Sequence, residues 1–153
     1  MKYSLLLLLA FTFSSCGYES DSSYPSTRKF IEKYVPDGAK RIEYKDTHGG
    51  IHGDGKLWAV YKLNSKEQKE FEEKFETDLA WNDLPVFEEA RKFMQGDWAD
   101  AKVGKYLFHD FQPDWYPPRD SYSGPVFQRG SFNFCLFVYN REEQKIYVYN
   151  VDT

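Results

Sequence analysis

Residues 131–151 read SFNFCLFVYNREEQKIYVYNV, and this stretch decides the fold. From Ser131 to Asn140 and from Lys145 to Val151, side chains alternate at the period of two that strands show. The charged residues Arg141 to Gln144 separate the two runs, so the pattern predicts an antiparallel hairpin. Phe132, Phe134, Leu136 and Val138 are expected on one face, with Ile146 and Val148 matching them across the pair. Cys135 falls in the opposite phase. It is expected to be a buried structural thiol, since free cysteine is among the most buried residue types. No adjacent residue supplies the electropositive setting that a nucleophilic thiolate needs.

Upstream, the period of two recurs. Val103, Lys105, Leu107 and His109 alternate with Tyr106 and Phe108. Leu57, Ala59, Tyr61 and Leu63 share one face of Lys56 to Leu63, with Trp58 and Val60 on the other, which predicts a central strand covered on both sides. Arg41 to Lys45 predicts a further strand, with Ile42 and Tyr44 on one side.

Helical spacing appears in three places. Ser26 is placed to cap a short helix carrying Phe30, Ile31 and Tyr34, which Pro36 ends. Ser65 and Gln68 fit a capping box, so a helix is expected from Lys66, with Phe71, Phe75 and Leu79 as its stripe and Glu70 and Lys74 paired on its surface. A third helix is expected from about Pro85 to Gly96, burying Val86, Ala90, Phe93 and Met94. The order α-β-β-α-α-β-β-β, with short connections, predicts an α+β single domain. Its antiparallel sheet would have about five strands, with two to three helices packed mainly on one face.

The first residues read differently. One cation, Lys2, precedes an apolar run from Leu5 to Phe13, and Ser14 and Ser15 then lead to Cys16. The run is far shorter than the roughly 20 residues a spanning helix needs, so it reads as a secretory signal. This order of charge, apolar run, small residues and cysteine resembles the signal of bacterial lipoproteins, with Phe13 standing where leucine is commonest. The resemblance implies a signal peptide over 1–15 and a lipidated Cys16 carrying palmitate-type acyl chains. It also implies a location in the bacterial cell envelope, anchored to a membrane. Two or more chains, at about 0.8 kcal/mol per buried CH₂, anchor stably. The Ser-rich composition of 16–26 predicts a flexible tether, which leaves 27–153 as the globular domain. With Cys16 lipidated, Cys135 has no partner for an intramolecular disulfide.

The chain carries 4 Trp, 12 Tyr and 13 Phe, so an aromatic core is expected to hold the domain. The formal charge is −4 and no basic run appears, which argues against nucleic acid as a partner.

Two places are candidates for chemistry or binding. Thr47 to Gly55 is glycine-rich and holds His48, His52 and Asp54. Neutral imidazoles with a carboxylate suit zinc or a similar metal, and His109 could complete such a set if its strand ended nearby. No other cofactor is indicated. The plainer reading is a hairpin loop whose glycines supply positive φ, with Asp54-Gly55 as its turn signal. The long irregular stretch after Gln112 offers Trp115, Tyr116, Arg119 and Tyr122 as a surface for a protein or cell-wall partner. No catalytic residue is assigned.

The runs His52 to Gly55, Trp81 to Pro85 and Tyr147 to Thr153 resemble small bacterial proteins of unknown function, a likeness that implies a domain but no activity. The expected role is an envelope lipoprotein acting as a non-catalytic binding or protective module, inhibitor-like or immunity-like. The alternatives are a metal-dependent hydrolase built on the His48, His52 and Asp54 loop, and a structural component of an envelope assembly.

Overall fold

The computed structural model describes residues 25–49, 54–94, 96–111, 126–131 and 133–153. Cys16, His52, Trp115, Tyr116, Arg119 and Tyr122 lie outside the described residues.

The chain is an α+β domain on one antiparallel sheet. Helix α1 (Pro25–Tyr34) leads into the hairpin of β1 (Lys40–Asp46) and β2 (Gly55–Lys62). Helix α2 (Ser65–Thr77) follows, then the short β3 (Asn82–Asp83) and helix α3 (Glu88–Arg91). Strand β4 (Gly104–Asp110) and the hairpin of β5 (Asn133–Asn140) and β6 (Lys145–Asp152) complete the sheet. Its spatial order is β1-β2-β6-β5-β4-β3, so the C-terminal strand β6 lies between β2 and β5. The sheet has six strands rather than about five, because Asn82 and Asp83 pair with Tyr106 and Lys105.

Each face of the sheet carries its own core. On one face, α1 and α2 bury Ile31, Phe71 and Phe75 against Leu57, Phe137 and Val148. Phe30 of α1 reaches the β4 end, where its ring stacks on His109 at 4.5 Å and meets Phe111 edge-on at 5.2 Å. On the other face, α3 and its flanks pack Val86, Ala90 and Met94 against Phe134, Leu136 and Val138. The two longer helices thus share one face. The third is shorter than the spacing of its apolar residues suggests and lies opposite them. Phe87, its N-cap, supplies no side-chain acceptor. Beyond Arg91 the chain tightens into i to i−3 bonds, from Phe93 N–H to the Ala90 carbonyl and from Met94 N–H to the Arg91 carbonyl. The apolar stripe survives because tight turns keep Ala90 and Met94 on the same side.

Three local expectations are corrected. Asn64, not Ser65, caps α2: its side chain accepts from the Lys66 and Glu67 amides at 2.9 and 3.0 Å, and Glu67 accepts from the Asn64 amide at 2.8 Å. The reciprocal box sits one residue earlier than Ser65 and Gln68 suggested, and both helix ends move with it. Leu79 therefore lies past the end of α2 and is 98 % exposed, while Phe71 and Phe75 are buried. Glu70 pairs with Lys66 at 3.7 Å on the helix surface.

The hairpin register also differs. A four-residue turn sets Asn140 opposite Lys145, so Tyr139 faces Ile146 and Phe137 faces Val148, while Leu136 and Val138 face Tyr149 and Tyr147. Asn140 holds that turn by accepting from the Glu142 and Glu143 amides. Cys135 is fully buried, as expected, and burial pushes its thiol well above its ordinary value, so it is no thiolate.

In β1 the simple alternation fails at a bulge. Arg41 pairs with Tyr61 and Glu43 with Val60, which leaves Ile42 as the extra residue. Tyr44 and Arg41 then share a face, with the guanidinium 4.2 Å from the Tyr44 ring centroid, and Ile42 is half exposed at 50 %.

Candidate binding trough

The bulge at Ile42 determines what β1 presents to the second face of the sheet. Direct partners across a sheet point to the same side. Glu43 lies beside Val60, and Lys45 beside Trp58. Trp58 in turn lies beside Tyr149, and Val60 beside Tyr147. One row therefore reads Lys45, Trp58, Tyr149, and the next reads Glu43, Val60, Tyr147. A third row, at one end, is Lys40, Lys62, Lys145. Lys56 extends the same face at the other end, two residues from Trp58 on β2.

The layer formed by α3 and its flanks covers only part of this face. Phe87 packs on Phe108, and Phe93 on Phe127 and Phe134, which keeps the layer over β4 and β5. Its outermost ring is Trp98, 2 % exposed, on the 3₁₀ turn Asp97–Asp100. Trp98 meets Trp58 edge-on at 5.0 Å and stacks on Tyr147 at 6.2 Å. Past Trp98, the outer part of the face over β1, β2 and β6 forms an open trough of about 620 Å³. Trp58 and Tyr149 are half-buried on its floor, and Lys45 and Lys56 are exposed on its walls. A central strand covered on both sides was expected for β2; the cover on this side stops at Trp98.

Glu143 organises one end. Its carboxylate accepts from Lys145 Nζ at 2.5 Å and from the Tyr147 hydroxyl at 2.8 Å, and its carbonyl accepts from Lys62 Nζ. The Lys145 ammonium, then the Tyr147 hydroxyl, hold that carboxyl below its ordinary value. Charge and aromatic surface are thus fixed together in a chain whose formal charge is −4.

The glycine-rich segment connects β1 to β2 of one hairpin, but Gly49 and Gly55 do not take the positive φ expected of its glycines, and Gly55 opens β2 rather than a turn. Thr47 N–H donates to the Lys56 carbonyl at 2.9 Å, and Lys56 N–H to Thr47 Oγ1 at 3.0 Å. Gly55 is needed there because a Cβ would stand 2.5 Å from the backbone of His48. The His48 amide donates to Asp46 Oδ1 at 2.9 Å, and its Nδ1 lies 2.6 Å from the same oxygen. The Tyr44 hydroxyl donates to Asp46 Oδ2 at 3.2 Å. The His48 and Asp46 side chains are 2 % and 5 % exposed, so this is a buried clasp rather than an open site. Asp152, beside Gly55 in the sheet, is near enough for His48 and Asp54 to act on its carboxyl from opposite directions.

The set His48, Asp54 and His109 does not assemble. Asp46, Leu57, Asn150, Cys135 and His109 occupy one row on successive strands β1, β2, β6, β5 and β4. Four strand spacings of roughly 4.8 Å put His109 about 19 Å from the Asp46–His48 clasp. His109 instead sits between Phe30 and Phe111. Among the described residues, no group of three or more His, Cys, Asp or Glu side chains is placed to hold a metal ion.

Sequence reading missed the trough because its lysines at 45, 56 and 145 form no run. The usable signal was the phase of Trp58 on β2, which places Lys56 and Lys62 on the face opposite Leu57. The contribution of β1 depends on a bulge, which residue spacing does not reveal. No known protein family, no curated protein and no solved structure matches the chain.

Proposed function

We propose that this chain is a bacterial envelope lipoprotein whose folded domain is a non-catalytic binding module, with the trough over Trp58 as its binding surface. The trough carries this reading. It is concave, its volume is within the roughly 300–1,000 Å³ usual for ligand sites, and it joins aromatic floor to charged walls. The order Lys2, apolar run, Ser14-Ser15 and Cys16 supports the anchor. A lipid on Cys16 would supply the attachment. A protective role at the envelope, inhibitor-like or immunity-like, is one form such binding can take.

Two measurements test the two halves. Mass spectrometry of the protein from its producing cells should find an acylated amino terminus at Cys16; an unacylated terminus counts against the anchor. Full-length protein carrying Cys16→Ser, which removes the lipid, should still be retained by purified cell envelopes, and adding Lys45→Glu with Lys56→Glu should abolish that retention. Equal retention by the folded lysine variant moves the binding surface away from the trough.

A further inference from the structure

We infer that the trough takes an acidic saccharide, with a sugar ring seated on Trp58 and Tyr149 and its carboxylate, sulfate or phosphate held by Lys45 and Lys56. This rests on the trough being the binding surface. Trp58 and Tyr149 are direct partners across β2 and β6, and the Trp98 ring braces both, at 5.0 and 6.0 Å. Lys45 is the next residue in that row, and Lys56 flanks Trp58 along its own strand. An apolar platform with cations at one side matches a ligand that carries a flat apolar face and an anionic group. Glu43, in the neighbouring row, adds an acceptor for hydroxyl groups.

Three other occupants fit less well. A nucleic acid strand brings a charge with every nucleotide, and beyond the trough it would meet a chain of formal charge −4. A short acidic saccharide is small enough to keep its charges inside the trough, beside Lys45 and Lys56. An acidic peptide adding a strand would need a regular edge, but β1 breaks its pairing at Ile42 and carries charge at Lys40, Arg41, Glu43 and Lys45. A bilayer surface is too flat to reach the floor of a concave trough past Trp98.

The test is equilibrium binding to the full chain, using trigalacturonate, a chondroitin sulfate tetrasaccharide, neutral maltotriose, hexaglutamate and a thymidine hexanucleotide. The acidic saccharides should bind at least about tenfold more tightly than maltotriose, a difference of about 1.4 kcal/mol. Added salt should narrow that gap. Lys45→Gln with Lys56→Gln should cost the acidic saccharides about tenfold and leave maltotriose unchanged, and Trp58→Ala should abolish binding. The lysine variants keep the test decisive if Trp58→Ala fails to fold, since both lysines are exposed. Hexaglutamate or the hexanucleotide binding as tightly as trigalacturonate overturns the saccharide class. Equal binding of maltotriose overturns the role of charge, and failure of both acidic saccharides to bind overturns the inference. If that failure accompanies envelope retention that the Lys45→Glu, Lys56→Glu variant loses, the trough remains the binding surface with a different ligand.

Discussion

The hydroxyl of Tyr139 on β5 donates to the carboxylate of Glu72 on α2 at 2.5 Å, while the ring of Tyr139 packs on Phe71 and Phe75 of the same helix. One residue thus joins the central hairpin to α2 through both apolar and polar contact. Gln68 and Arg141 donate to the same Glu72 oxygen, each at 3.0 Å. Tyr139→Phe keeps the ring and removes the donor. It should cost about 1.5–3 kcal/mol, the range for hydrogen bonds to charged groups, read as a lower urea midpoint.

Burial alone would raise the Glu72 carboxyl, but the bonds from Tyr139, Gln68 and Arg141 outweigh it and hold the group below its ordinary value of 4.5. A carboxyl with a depressed folded pKa adds stability that is present above its unfolded pKa. That stability is lost as pH falls through the folded value. The stability gap between wild type and Glu72→Gln should therefore be widest near neutral pH and close below about pH 4. Denaturant titrations across that range measure it; a gap that widens on acidification contradicts the assignment.

Asp152 has the opposite sign. Burial pushes its carboxyl above the ordinary 3.8, Asp54 adds to the effect and His48 opposes it. Its folded pKa lies above the unfolded one, so ionisation as pH rises costs stability. Asp152→Asn should match wild type in acid and become the more stable protein toward neutral pH. Thermal midpoints at about pH 3 and about pH 7 give the comparison.

The cap of α2 separates two substitutions one residue apart. Asn64→Ala removes the acceptor for the Lys66 and Glu67 amides and should cost about 1 kcal/mol. Ser65→Ala touches no cap and should stay within about 0.5 kcal/mol of wild type. The shift matters farther along the helix. Phe71→Ala should cost about 3–5 kcal/mol, since its ring is 3 % exposed and meets Phe75, Trp81 and Tyr139. Leu79→Ala, at a residue 98 % exposed, should change little.

These pairs show where sequence is readable and where it is not. The strands were legible because Leu57, Ala59 and Tyr61, or Phe134, Leu136 and Val138, hold a period of two over several residues. The α+β class followed from their order. Element ends were less legible, because Asn64 and Ser65 are both good caps and only backbone geometry selects between them. Facing partners in the hairpin depend on the turn, where one residue of slip exchanges Val148 for Tyr149 opposite Leu136. The trough was hidden for a related reason. Lys45 and Trp58 become neighbours only after a bulge has set the register of β1. The separation of His48 from His109 likewise depends on strand order, which places β2, β6 and β5 between them.

Gly104 tests the register of the central sheet most directly. It opens β4 opposite Asn140 with φ +145, a conformation that residues with a side chain rarely adopt. A Cβ there would stand 1.9 Å from the Tyr139 carbonyl oxygen and 3.3 Å from the Arg141 amide nitrogen, both backbone atoms that cannot swing aside. The same corner holds the bond from Arg141 N–H to the Val103 carbonyl, so relief by movement would loosen the entry to β4. Gly104→Ala should cost about 3 kcal/mol or more, through strain and displaced backbone together. Gly130, where a Cβ meets nothing within 4 Å and φ is not positive, is the control. Gly130→Ala should leave stability unchanged or raise it by up to about 1 kcal/mol by restricting the unfolded chain. Urea midpoints of the two variants measured side by side decide the point: similar losses would mean that the close approach at Gly104 is not what fixes β4 against β5.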